Sequence, residues 1–188
     1  GVPLIDGYAM FQHLMNYWNS TLQDDLYIIA EDGWTAIPYR IQETKKGKSV
    51  DKGWACDLVP KSLIVERYFK TQSDELAGLE LELESLEAEI EGFTEEQNQE
   101  GGVFFTTEKV NKGSANKLLK ELKGLPDTKA EVGLLYDYLK MVTKLADLKS
   151  KIKSAGASLD LSALRKYGDL TEGDFKNLTI RSKWFQAI

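Results

Sequence analysis

The chain has 188 residues, 42% hydrophobic and 29% charged, with 24 basic residues against 30 acidic ones for a net charge of −6. It is too apolar for a disordered chain, and no run approaches the ~18 consecutive apolar residues that a membrane-spanning helix needs. The acidic balance argues against free-standing affinity for nucleic acid, which Lys and Arg carry.

Asp6 is a good N-cap, and Met10, Phe11, Leu14, Met15, Tyr17 and Trp18 then recur at helical spacing, so a helix with one apolar face is predicted. Ser20 or Thr21 is read as the cap of a second short helix carrying Leu26, Tyr27, Ile28 and Ile29, with Asp24 and Asp25 near its positive end and Gly33 as its stop. Residues 34–41 read as extended or irregular because Pro38 breaks a helix, and Lys45-Lys46-Gly47-Lys48 reads as a polar loop. Pro60 suits a helix's first turn, and the pattern beyond it is helical for over thirty residues. There Phe69, Leu76, Leu79, Leu83, Leu86, Ile90 and Phe93 follow a seven-residue repeat with Gln72 as its one polar position, ended by Gly101-Gly102. A shorter helix is predicted over 114–123, closed by Gly124 and Pro126. Leu134, Tyr138, Met141, Leu145, Leu148 and Ile152 form a second seam, and Thr171-Glu172-Gly173-Asp174 resembles a capping box near the end.

The fold class expected is mainly α: a helical globular segment over 1–59, a coiled-coil-like antiparallel hairpin with an intervening short helix over 60–155, and a small helical tail over 156–188. Charge favours pairing within one chain. In a parallel homodimer Glu75 would face Glu80 and Glu82 would face Glu87, whereas Lys144, Lys149 and Lys151 flank the second seam. The register predicted sets Leu79 against Ile152, Leu83 against Leu148, Leu86 against Leu145, Ile90 against Met141 and Phe93 against Tyr138. It brings Glu82 near Lys151, Glu89 near Lys144 and Glu80 near Lys149, whereas sliding by one heptad leaves Glu82 near Lys144 and Glu75 near Lys151 but sets Glu89 against Asp137.

Candidates for chemistry are few. His13 is the only histidine and Cys56 the only cysteine, so neither a metal-ligand spacing nor a nucleophile with its base is visible, and packing roles are preferred for both. A single cysteine also excludes an internal disulfide framework and suits a reducing, cytoplasmic setting. Glu75, Glu80, Glu82, Glu84, Glu87, Glu89 and Glu91 scatter around a helix and read as a solvated face. The lysines at 45, 46, 48 and 52 and at 109, 112, 117, 120 and 123 could touch phosphates but match no DNA-reading motif. No Gly-X-Gly occurs, and Pro3, Pro38, Pro60 and Pro126 are never adjacent, so neither a nucleotide-cradling loop nor an Asn-Pro-Pro-aromatic motif is present. The stretch given therefore shows no catalytic centre, no metal site and no cofactor site.

Three stretches carry a resemblance. Pro3-Leu4-Ile5-Asp6, Tyr8-Ala9-Met10-Phe11-Gln12-His13-Leu14-Met15-Asn16-Tyr17-Trp18 and Leu22-Gln23-Asp24-Asp25-Leu26-Tyr27 make up the first, Leu58-Val59-Pro60-Lys61-Ser62-Leu63-Ile64-Val65-Glu66-Arg67-Tyr68-Phe69 the second. Lys166-Tyr167-Gly168-Asp169-Leu170-Thr171-Glu172-Gly173-Asp174-Phe175-Lys176 with Lys183-Trp184 is the third. In this order they resemble the segment downstream of the catalytic domain in methylation subunits of type I restriction–modification systems. Gly173 and Thr179-Ile180-Arg181-Ser182 depart from that pattern.

The resemblance implies a C-terminal fragment of an S-adenosylmethionine-dependent adenine-N6 DNA methyltransferase subunit. The missing initiator Met, with Gly1-Val2-Pro3-Leu4 at the start and no signal peptide, leads to the same expectation. The family's catalytic and cofactor motifs lie upstream, so no catalytic residue carries over and S-adenosylmethionine belongs to the parent subunit. The partners implied are the specificity and restriction subunits, with DNA met only through the assembled complex and no membrane. A generic coiled-coil adaptor explains the heptads but not the Trp-rich first sixty residues. A stand-alone hydrolase would need a carboxyl in a pocket with a raised pKa, which no residue marks.

Overall fold

The computed structural model describes residues 6–45, 47–125 and 128–187, and its secondary structure is mostly helical. Helix α1 (Gly7–Tyr17) starts as predicted at Asp6, whose carboxylate accepts the Tyr8 amide at 3.0 Å. Neither Ser20 nor Thr21 caps a second helix. The backbone runs on through a π-helical segment, Trp18–Leu22, into α2 (Gln23–Asp32). No Gly or Pro lies between residues 8 and 32, so the ladder widens instead of stopping. Gly33 ends α2 at φ 73, a conformation that strains any residue with a Cβ.

A β-hairpin follows where extended or irregular chain and a polar loop were predicted. Strands β1 (Tyr39–Lys45) and β2 (Lys48–Ala55) pair antiparallel from Tyr39↔Ala55 to Lys45↔Lys48, with an irregularity between Arg40 and Gln42. The polar loop is the hairpin's tip, with Gly47 at φ 75; Lys46 lies outside the described residues. Most of the hairpin is exposed on both faces, so it lacks the alternation that marks a half-buried strand.

Pro60 opens α3 (Lys61–Tyr68) as its position suggested, but the long helix expected beyond it is interrupted. Phe69 leaves helical geometry at φ −131 and packs against a hydrophobic core, and α4 (Lys70–Gln97) begins after it. Burial of one aromatic ring overrides helix continuity here. Helix α5 (Lys112–Leu122) is closed at its start by reciprocal hydrogen bonds between Asn111 and Ser114; Pro126 lies outside the described residues. Helix α6 (Lys129–Lys166) passes without a break through the boundary expected at 155/156. The predicted capping box opens α7 (Glu172–Asn177), where Thr171 and Asp174 satisfy each other's amides, and a second π-helical segment, Leu178–Trp184, follows.

Two compact units result: Gly1–Ser73 with Ser158–Ile188, and Asp74–Ala157. In the first, Trp54, Leu58, Val59 and Ile64 share one core with Ala163, Tyr167, Phe175 and Leu178, so the tail completes the opening segment. Tyr167 is central: its hydroxyl donates to the Val59 carbonyl at 2.6 Å, and Trp54 meets its ring edge-on at 5.5 Å. In the second unit Phe104, Ala115, Leu135 and Tyr138 form the core, with Ile90, Phe93, Leu118 and Leu122 against it. Phe104 reaches it from the turn after α4, where its amide donates to the Gln97 carbonyl at 2.8 Å. A Cβ at Gly102 in that turn would lie 2.2 Å from the same carbonyl oxygen, so glycine is required.

Burial pushes the Tyr167 phenol well above its ordinary value. The unfolded chain ionises near pH ~10 while the native state holds its proton, so this contribution is complete below that pH and is lost as pH rises through and above it. The urea midpoint should therefore fall between about pH 9 and about pH 11, and Tyr167→Phe should reduce the fall while costing ~1 kcal/mol at neutral pH. Equal falls in both proteins would show that Tyr167 is not responsible.

Candidate functional site

Of the helix-pairing residues predicted from the heptads, Ile90, Phe93 and Tyr138 join the second core, and most of the others lie outside both cores. Leu76, Leu79 and Leu83 on α4 are half-buried, Leu86 is buried, and Ile90 and Phe93 pack against the second core. On α6, Tyr138 and Leu148 are buried while Leu134, Met141, Leu145 and Ile152 are half-buried. Phe69 is not with them; it belongs to the first core. Phe93 stacks on Tyr138 with ring centroids 6.2 Å apart, and Phe104 meets Tyr138 edge-on at 5.0 Å. Phe104, Ala115 and Leu135 were not among the predicted positions. Leu135, Leu139 and Val142 do recur beside the seam at helical spacing, which was the available sign that α6 packs on more than one element.

Charge pairing differs from the predicted set. Lys144 binds Glu82 at 2.7 Å and Lys149 binds Glu87 at 2.7 Å, instead of Glu89–Lys144 and Glu80–Lys149. The Lys144 ammonium holds the Glu82 carboxyl below the usual carboxylate range, and Lys151 adds to that field. Glu82 in turn raises Lys144, with Glu89 contributing. Lys151 and Glu89 thus act as neighbouring charges; Glu82–Lys144 is a pair of the register slid by one heptad, whereas Phe93 against Tyr138 is a pair of the predicted one. Long, half-exposed side chains can slant about one helical turn, which spacing along the sequence does not register.

The first unit holds the most built polar arrangement. Asp25 on α2 is only 4% exposed; its two oxygens accept from Lys183 Nζ at 2.6 Å and Trp184 Nε1 at 2.8 Å. Lys183 also donates to the Asp57 and Leu58 carbonyls at 2.9 and 3.2 Å, which uses all three of its protons. Tyr17 donates to the Trp184 carbonyl at 2.8 Å, so the end of α1 and the second π-helical segment are tied into this clamp. Beside it opens a cavity of about 680 Å³ lined by Ser20, Thr21, Asp24, Tyr27 and Asp57. With all three ammonium protons and both carboxylate oxygens engaged, the clamp holds α2 and the C-terminal segment together. In the sequence Asp25 reads as a charge near a helix's positive end, and nothing local marks Lys183 or Trp184 as its partners.

Cys56 is buried as expected, and burial pushes its thiol up, away from a reactive thiolate. His13, expected to pack or to make a hydrogen bond, is exposed on α1. The acidic residues of α4 at 75, 80, 82, 84, 87, 89 and 91 are exposed, as a solvated face requires. Among the described residues no group of three or more His, Cys, Asp or Glu could hold a metal ion, and no helix is long and apolar enough to cross a membrane. No family model, curated protein or solved structure matches this chain.

Proposed function

We propose that the chain is the C-terminal region of a type I restriction–modification methylation subunit, serving its assembly with the specificity subunit and, through it, with DNA and the restriction subunit. The observation that carries this is the convergence of the three stretches on which the resemblance rests. Asp25 of the first holds Lys183 and Trp184 of the third, and Tyr167 of the third donates to Val59 of the second. Segments far apart in sequence that resemble one family in order, and also hydrogen-bond to one another, are what a single inherited domain would contain. The chemistry of methylation, with its S-adenosylmethionine, then belongs to the upstream part of the parent, and this region is non-catalytic and cytoplasmic.

In this proposal α4 and α6 pair as an antiparallel, coiled-coil-like hairpin that carries the contact with the partner. Phe93 against Tyr138, the buried Leu86 and Leu148, and the two Lys–Glu pairs support it. A zero-length carbodiimide reagent joins a carboxylate to an amine already in contact. Peptide mapping of treated monomer should give Glu82–Lys144 and Glu87–Lys149 links, whereas links found only between copies would sink the hairpin.

Assembly is tested by co-expressing the chain with the specificity subunit of a type I system of matching family type. A stoichiometric complex stable through size-exclusion chromatography is the result expected, without S-adenosylmethionine binding by the chain alone. Failure to form that complex, together with cofactor binding, would favour a separate enzyme instead.

A further inference from the structure

Helix α1 has no buried residue, although one whole face of it is apolar. Tyr8, Phe11 and Leu14 are 75%, 58% and 60% exposed, and Met10, Met15 and Trp18 are also open to solvent. Together these side chains leave roughly 600 Å² of contiguous apolar surface, the upper end of the largest patch a typical monomer shows to water, and such patches are often functional. Nothing else in the protein is so free of charge: from Gly7 to Gln23 there is no Asp, Glu, Lys or Arg, and the polar flank is Gln12, His13 and Asn16.

We infer that this face docks against the same face of a second copy of the chain. Two such faces would bury roughly 1,200 Å², the lower edge of what stable specific interfaces use. A neutral surface offers a charged partner nothing to select, but it meets its own twin without like-charge repulsion, which matters for a chain of net charge −6. The side-chain rows suit self-pairing. Met10, Leu14 and Trp18 form one ridge at four-residue spacing and Phe11 and Met15 the next, the pattern by which two helices interlock ridge into groove. A two-fold axis through Leu14 sets Leu14 against Leu14 and Met10 against Trp18, as an isologous contact demands.

This inference does not rest on the assembly proposal: a chain that binds the specificity subunit yet stays monomeric overturns it alone. The test is sedimentation equilibrium of the whole chain across the micromolar range. A concentration-dependent dimer is expected. Leu14→Asp and Leu14→Lys should each weaken it about thirtyfold or more, since each buries like charges at the axis, with circular dichroism unchanged because Leu14 is exposed. Mixing the two variants should restore dimer, because only across a two-fold axis does position 14 meet itself. A monomer at every concentration, a dimer indifferent to Leu14, or a mixture that stays monomeric would each overturn the inference. So would a monomer captured through this face by a separately expressed methyltransferase domain.

Discussion

Asp25→Ala should be the most destabilising polar substitution in the first unit, at about 3–5 kcal/mol, because it strands a partly buried ammonium and an indole N–H together. Lys183 would keep only the Asp57 and Leu58 carbonyls, and Trp184 Nε1 would lose its acceptor. Lys183→Met should be costly for the converse reason, leaving a carboxylate that is 4% exposed with a single donor. The double substitution Asp25→Leu with Lys183→Met should recover much of the loss, since replacing a buried ion pair by apolar groups removes the desolvation penalty along with the attraction. Urea unfolding followed by tryptophan fluorescence suits the test, because Trp18, Trp34, Trp54 and Trp184 all lie in the first unit. A single-variant loss under ~0.5 kcal/mol, or a double variant as unstable as the sum of the singles, would mean that the clamp does not act as a pair.

Phe104→Ala should weaken the second unit by about 3–5 kcal/mol, the range for deleting a fully buried phenyl ring whose surroundings cannot close the gap. Phe104 is wholly buried, yet it comes from a turn and fills the space between Tyr138 and the apolar face of α5. Tyr138 cannot follow into the void without leaving its stack on Phe93. Thermal melting followed by helical circular dichroism should show the loss. Phe105→Ala beside it, an exposed position, should change little. Equal effects at 104 and 105 would mean that the turn does not close the core.

Much of the helical architecture is legible locally. The caps at Asp6 and Thr171, the Pro60 start and the Gly33 stop are short-range stereochemistry that each segment carries with it. The seven-residue spacing on α4 likewise predicts side chains that lose solvent: positions 76, 79, 83, 86, 90 and 93 are all half-buried or buried, although Ser73, Thr94 and Gln97 are half-buried as well and Gln72, the polar position of the repeat, is exposed. The hairpin escaped because its strands are exposed on both faces and leave no period-two signal, although Gly47 at a two-residue tip was a usable clue. The exposed state of α1 escaped too. Periodicity identifies an apolar face but is silent on whether anything covers it.

What neighbouring residues specify is therefore one-dimensional: the helix ends at Asp6, Gly33, Pro60 and Thr171, and which stripe of a helix is apolar. Those features depend on residues within a turn or two of one another, so neighbours in the chain suffice to specify them. Tertiary structure decided the rest. It joined the tail to the opening segment through Tyr167 and Val59, broke the long helix at Phe69, brought Phe104 onto Tyr138, and matched Asp25 with Lys183 across more than 150 positions. Such contacts depend on which surfaces exclude water together, and an ion pair such as Glu82–Lys144 depends on the reach of two side chains in space. Both are properties of the packed chain, because the energy of burial is gained only when distant segments meet.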